Sequence, residues 1–164
     1  YSSEELEELS ERVIANLSEL DVFKKSKTVL LYYSMPDEVN TEYLIKRIAK
    51  DKQIILPIVD ESGLILKKYE SEDSIVVSKY GIKEPTGDLY IDFNKIDMVV
   101  VPGVAFDYSK NRMGRGKGYY DGLLPKIEAP RVAICFDFQM FDNVPSDEND
   151  VKMDIIVCES EIIL

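Results

Sequence analysis

The chain has 164 residues, a formal net charge of −11, 45% hydrophobic residues and no histidine. That length suits one domain with one good core, and the acidic balance argues against a broad basic face for nucleic acid. No apolar run approaches the ~20 residues of a bilayer span, and the missing histidine excludes Ser-His-Asp, Cys-His, phosphohistidine and His-bearing zinc chemistry. Catalysis is left to carboxylates, Lys, Arg, Tyr, backbone amides and a hard metal such as Mg²⁺.

Ser2 and Glu5 form a capping box, so a helix is expected almost from the start. Leu6, Leu9, Val13, Leu17 and Leu20 make its apolar stripe, and Glu4, Glu5, Glu7, Glu8 and Glu11 its solvated face. Residues 27–34 (KTVLLYYS) read as a buried strand broken by Pro36. Asn40 or Thr41 can cap a second helix carrying Leu44, Ile45 and Ile48. Residues 53–59 read as a strand ended by Pro57, and 64–69 as a shorter one with its lysines outward. Residues 70–96 are mixed, with a turn at 84–87. Further strands are expected at 97–102, 131–136 and 153–158, the last two holding Cys135 and Cys158 as buried, reduced thiols. Continuous Val/Ile/Leu runs signal strands covered on both faces. Strands alternating with helices signal a mainly parallel sheet. The expected fold is therefore α/β: three layers, a mainly parallel sheet flanked by helices, with residues 1–164 as a single domain.

Chemistry concentrates in residues 102–124, PGVAFDYSKNRMGRGKGYYDGLL. Gly114, Gly116, Gly118 and Gly122 are four of the eight glycines. Lys110, Arg112, Arg115 and Lys117 make a cationic island in an acidic chain. Alternating glycines let backbone N–H groups converge, since glycine tolerates positive φ. A strand, a glycine loop and a helix start in succession form a phosphate cradle. The spacing matches neither a Walker A loop nor the dinucleotide fingerprint, so the residues alone indicate an anion or nucleotide site of open class. Asp107, Asp121 and Asp150 bracket the island, and carboxylates beside phosphate suggest Mg²⁺. Tyr119 and Tyr120 could stack a flat heterocycle.

VVVPGVAFDYSKNRMGRGKGYYDGLL closely resembles the signature of the 5-formyltetrahydrofolate cyclo-ligase family. LLYYSMPDEVNTEYLI is similar to that family's early strand, Glu-containing turn and helix. FDFQMFDNVPSDENDVKMDIIVCE is similar to its C-terminal Gln, Pro and Asp block. The resemblance implies ATP-dependent cyclisation of 5-formyltetrahydrofolate to 5,10-methenyltetrahydrofolate, with Mg²⁺, on a fold akin to the sugar-phosphate isomerase and CoA-transferase group. It carries ATP binding onto Arg112, Met113, Gly114, Arg115, Gly116, Lys117, Gly118, Tyr119 and Tyr120. Folate contacts fall on Tyr33, Glu38 and residues 115–119, and Mg²⁺ ligands on Asp121 and Asp150. Lys117, Arg115 and Tyr119 are the expected catalytic residues. Two features depart from the family pattern. Its short basic segment ahead of the first helix has no counterpart before Tyr1, and Tyr33 stands where relatives carry an aliphatic residue. The expected partners are the small-molecule substrates alone, with no nucleic acid or membrane, and the expected form is a cytoplasmic monomer or weak homodimer. A non-catalytic nucleotide- or RNA-binding module is the alternative; such a module has no use for Glu38, Asp121 and Asp150 together.

Overall fold

The computed structural model of the protein describes residues 1–79 and 81–164. In chain order the elements begin with α1 (Ser3–Glu19), α2 (Asp21–Lys25), β1 (Thr28–Leu30), α3 (Glu42–Ile48), β2 (Gln53–Asp60), β3 (Gly63–Lys68), β4 (Ile75–Val77) and β5 (Lys83–Pro85). They continue with β6 (Met98–Val101), β7 (Ala105–Asp107), β8 (Arg112–Met113), α4 (Tyr119–Leu123), β9 (Arg131–Ile134), β10 (Met140–Phe141), β11 (Ile155–Val157) and β12 (Ile162–Ile163).

Among the described residues the main sheet has seven strands in the order β12-β11-β9-β6-β1-β2-β3. Its five inner strands are parallel; β3 and β12 pair antiparallel at the two edges. Alternation along the strands sends side chains to two separate cores. Val29, Ile54, Met98, Val100, Val132 and Val157 meet α1, α2 and α3 on one face. Leu30, Ile55, Val99, Val101, Ala133 and Ile156 meet Leu123, Leu124 and Ile127 on the other. Covering both faces removes the polar face that a one-sided sheet would show, which is why the strands read as continuous apolar runs.

The helix expected at the N-terminus forms with its capping box complete: Glu5 N–H donates to Ser2 Oγ at 3.1 Å and Ser2 N–H to Glu5 Oε1 at 3.0 Å. At α3 it is the Asn40 side chain that accepts, from Glu42 N–H at 3.0 Å. Thr41 turns inward instead. Three expectations need correction. The first strand is short, because the chain leaves the sheet after Leu31 N–H donates to Ile55 C=O. Pro57 does not end its strand. β2 pairs with β1 only as far as Ile55, so the N–H that proline lacks faces an unpaired stretch while β3 pairs on the other side. The turn expected at 84–87 is strand over its first two residues, which belong to β5; β5 pairs with β4 in a small hairpin, and the strand–loop region after β6 builds a further sheet, β10-β7-β8.

Strand order reverses at the β1–β6 neighbour pair. The chain proceeds outward from β1 to β2 and β3 on one side, and from β6 to β9 and β11 on the other. Loops leaving the carboxyl ends of β1 and β6 therefore diverge and open a crevice, the usual ligand position in an open α/β sheet.

Candidate functional site

The loop after β1 carries Glu38, and the loop after β6 carries the glycine and basic cluster. The β1 loop is closed on itself: Ser34 N–H donates to Thr41 Oγ1 and Thr41 N–H to Ser34 Oγ, both at 3.0 Å. Thr41 is fully buried. Asn40 N–H adds a bond to Ser10 Oγ of α1 at 3.0 Å. These contacts fix the turn so that Glu38 points inward, its side chain 9% exposed.

Beneath the glycine loop stands Arg112. Its side chain is buried, its Nε donates to Pro102 C=O at 2.7 Å, and its guanidinium lies 5.2 Å over the Tyr120 ring. Asp121 Oδ1 is 4.0 Å from Nη1. Burial lowers the guanidinium's pKa and Asp121 opposes that effect; an arginine stays charged under both influences. Gly114 passes so close that a Cβ there would sit 2.9 Å from an Arg112 nitrogen. Gly116 and Gly118 have φ of 95° and 69°, the left-handed region that other residues enter at a cost. Gly118 is the N-cap of α4.

These parts enclose one cavity of about 480 Å³, lined by Glu38, the whole segment 112–121, Pro145 and Asp150. The ATP-loop residues, Glu38 and both expected metal ligands thus come together. Arg115 and Lys117 are exposed at the rim. Arg115 Nη2 lies 3.4 Å from Asp37 Oδ1 and 3.7 Å from Glu38 Oε2, so it links the two loops. Among the described residues Lys117 makes no ion pair, which leaves its ammonium available for an anion. Tyr119 and Tyr120 are half-buried, and burial pushes the Tyr120 hydroxyl's pKa up. Burial likewise raises the Glu38 carboxyl above its ordinary 4.5, against the Met35 N–H and Arg115, which lower it.

Asp121 Oδ1 accepts Val151 N–H at 3.2 Å, and Asp150 Oδ2 accepts Asp147 N–H at 2.9 Å. The two carboxylates line the same cavity. No group of three or more His, Cys, Asp or Glu suited to a metal occurs among the described residues. Two hard oxygens beside a phosphate cradle fit Mg²⁺, whose remaining positions go to phosphate and water.

Asp107 and Tyr33 lie outside the lining of this cavity. Asp107 flanks the loop but is 1% exposed and accepts four donors: Ser109 N–H, Asn111 N–H, Asn111 Nδ2 and Val144 N–H, each at 3.0 Å. Burial raises its pKa, yet these bonds outweigh burial and hold it below its ordinary value. It ties the β7–β8 loop together and has no free face for a metal. Tyr33 lines a neighbouring cavity of about 500 Å³, which Glu38 also borders, and its hydroxyl donates to Glu72 at 2.8 Å. Glu38 is the residue shared by both cavities. Cys135 and Cys158 are buried and free, with sulfurs 3.6 Å apart. That contact and burial push the Cys135 thiol up, as suits a packing residue.

Sequence reasoning missed Gln139 as a support. Its Nε2 donates to the carbonyls of Gly103 and Val104 at 3.0 and 3.1 Å, pinning the start of the β6 loop. The signal was a lone glutamine among aromatic residues.

Comparison with known proteins agrees with this architecture. The model of the 5-formyltetrahydrofolate cyclo-ligase family matches residues 1–159. A probable 5-formyltetrahydrofolate cyclo-ligase of Schizosaccharomyces pombe is 33% identical over 88% of this chain and 81% of the relative. The 5-formyltetrahydrofolate cyclo-ligase of Mus musculus is 30% identical over 92% of this chain and 80% of the relative. The solution structure of Aquifex aeolicus 5,10-methenyltetrahydrofolate synthetase superposes with a TM-score of 0.88 at 39% identity, covering 99% of this chain and 84% of that one.

Proposed function

The chain belongs to the 5-formyltetrahydrofolate cyclo-ligase family, and from that premise we propose which of its residues carry the family's reaction. The activity is the ATP-dependent conversion of 5-formyltetrahydrofolate to 5,10-methenyltetrahydrofolate, releasing ADP and phosphate. A formamide oxygen is a poor leaving group. Transfer of the γ-phosphoryl group to that oxygen turns it into phosphate, with ADP departing. The folate's second nitrogen then adds to the formyl carbon and loses its proton. Departure of phosphate with the C–O bonding pair leaves the methenyl bridge. No protein nucleophile is needed, in keeping with a chain that has no histidine.

The protein's part is alignment and charge. Glu38 accepts the pterin's ring N–H and exocyclic amine as a pair of hydrogen bonds. The amides of residues 112–120 cradle the phosphates. Lys117 and Arg115 meet the charge that develops on the transferred group, and Tyr119 borders it. Asp121 and Asp150 would hold Mg²⁺, which supplies neutralisation of the phosphate oxygens. The observation that carries this assignment is that Glu38, the glycine loop, Asp121 and Asp150 line one cavity.

The same proposal extends to the surroundings. The doubly covered parallel sheet supports kinship with the sugar-phosphate isomerase and CoA-transferase group. Free, buried thiols support a reducing cytoplasm, and no helix among the described residues is long and apolar enough to cross a membrane. The net charge of −11 supports small-molecule rather than nucleic-acid partners, and a monomer or weak homodimer is the form to test by sedimentation. The decisive experiment measures phosphate release from ATP with and without 5-formyltetrahydrofolate, alongside the methenyl chromophore. Phosphate and chromophore are expected to appear together. Equal phosphate release without folate would overturn the assignment.

A further inference from the structure

Four side chains from four segments meet beside the Glu38 turn. Tyr33 leaves the end of β1, Tyr69 follows β3, Glu72 opens the short turn Glu72–Ser74, and Lys46 projects from α3. Glu72 Oε2 accepts both hydroxyls, Tyr33 at 2.8 Å and Tyr69 at 3.1 Å. The other oxygen, Oε1, lies 3.2 Å from Lys46 Nζ. Lys83 Nζ stands 5.9 Å from the Tyr33 ring centre and is itself held by Glu42 Oε1 at 2.8 Å. Tyr33 forms a wall of the cavity that Glu38 borders.

Each partner is held in the protonation state that the bond needs. Burial and the Glu72 contact push the Tyr33 hydroxyl up, so it stays a donor. Burial raises the Glu72 carboxyl, but the bonds from Tyr33, Lys46 and Tyr69 outweigh it and bring the pKa below the ordinary value. Glu72 therefore stays an acceptor at neutral pH. A tyrosine whose hydroxyl is committed outward cannot offer it to a ligand. What remains for the cavity is the ring, held at one angle before any ligand arrives. An aromatic wall fixed in advance spares the ligand the cost of ordering it.

We propose that Glu72 is a positioning residue for the folate: it holds Tyr33 through its hydroxyl, so that the ring of Tyr33 forms a fixed wall for the folate bound at Glu38. This rests on the assignment of Glu38 to the pterin. The competing possibility is that the cluster only staples segment 70–96 to α3, in which case stability would depend on it and substrate binding would not.

The test uses Glu72→Ala, Tyr33→Phe, their double variant, Lys46→Met and Glu38→Gln, with steady-state kinetics and melting curves. Glu72→Ala and Tyr33→Phe should each raise the folate KM three- to tenfold, with kcat and the ATP KM within twofold of the parent. The double variant should be no worse than Glu72→Ala alone, because both changes remove the Tyr33–Glu72 bond. Lys46→Met breaks only the ion pair and should leave the folate KM within twofold. An unchanged folate KM in Tyr33→Phe overturns the proposal even if Glu72→Ala fails to fold. Multiplicative effects in the double variant, or a Lys46→Met defect equal to that of Glu72→Ala, overturn it as well. Glu38→Gln separates the two levels: intact folate affinity there would refute the pterin assignment itself, whatever Glu72 does.

Discussion

Glu38→Gln separates substrate recognition from structural support with unusual clarity. The carboxylate is nearly buried, with one short donor, Met35 N–H at 2.7 Å, and one loose cation, Arg115 Nη2 at 3.7 Å. Burial therefore raises its pKa above the ordinary 4.5. The folded state then binds more protons than the unfolded chain between those two values. Stability falls as pH rises through that window, and the loss persists at neutral pH. Glutamine keeps an oxygen for Met35 N–H and carries no charge to desolvate. Its melting temperature at pH 7 should equal or exceed the parent's, and the gap should close as pH falls toward 4.5. Folate binding should move the other way. A charged hydrogen bond contributes about 1.5–3 kcal/mol, so affinity should drop by roughly one to two orders of magnitude. Calorimetric titrations with 5-formyltetrahydrofolate and with ATP, beside melts from pH 4 to 8, measure each part; the ATP constant should stay within twofold. A melting temperature several degrees lower with unchanged folate affinity would refute the reasoning and make Glu38 a support for the helix that follows.

Lys117→Ala should lower kcat/KM by roughly 10²-fold, the scale for losing one placed charge donor, without lowering the melting temperature of a side chain that is exposed; a change below threefold would make it a solvated loop lysine. Asp121→Asn and Asp150→Asn should each shift the Mg²⁺ dependence of the rate to higher concentration; parental titrations in both would place the metal elsewhere. Asp107→Asn should cost about 1–3 kcal/mol, because an amide cannot accept all four donors that now converge there. Its carboxyl is held below its ordinary pKa, so the contribution is present at neutral pH and lost as pH falls through the folded value. Acid melts of parent and variant should converge there, and parallel curves would show that the bonds contribute nothing net.

The strands were legible because each alternates between two cores, and residues that are all buried need no polar punctuation. The loop after β6 was legible because its glycines carry out backbone tasks that other residues do poorly: Gly114 passes an arginine side chain closely, and Gly116 and Gly118 have positive φ. Pro57 misled because a proline marks the end of pairing only where its missing N–H would face a partner, and which side is paired depends on strand order. Asp107 misled for a related reason. Sequence placed it beside the cationic island, but the side chain turns into its own loop, and that orientation is set by β7, β8 and Val144, which are distant or short. The folate contact expected of Tyr33 came from the family resemblance alone. The bond of Tyr33 to Glu72, 39 residues away, required the fold.

The basic island divides its work by depth. Arg112 is buried, bonded to Pro102 C=O and stacked over Tyr120, so its charge supports the loop from below. Arg115 and Lys117 lie on exposed backbone between glycines at the rim of the cavity, where the proposed assignment puts the phosphates. Asp121 serves both levels, since its oxygen faces Arg112 and accepts Val151 N–H while the residue borders the cavity. Arg115 rests against Asp37 and Glu38, the latter being the proposed pterin acceptor. On the proposed assignment, a phosphate that drew Arg115 away would also leave Glu38 without this cation and free to accept the pterin's two donors. The exposed Asp37 contact is weak at such a surface, so that exchange costs little. On that assignment, a single arginine that touches both loops would serve a reaction that needs two substrates aligned in one crevice.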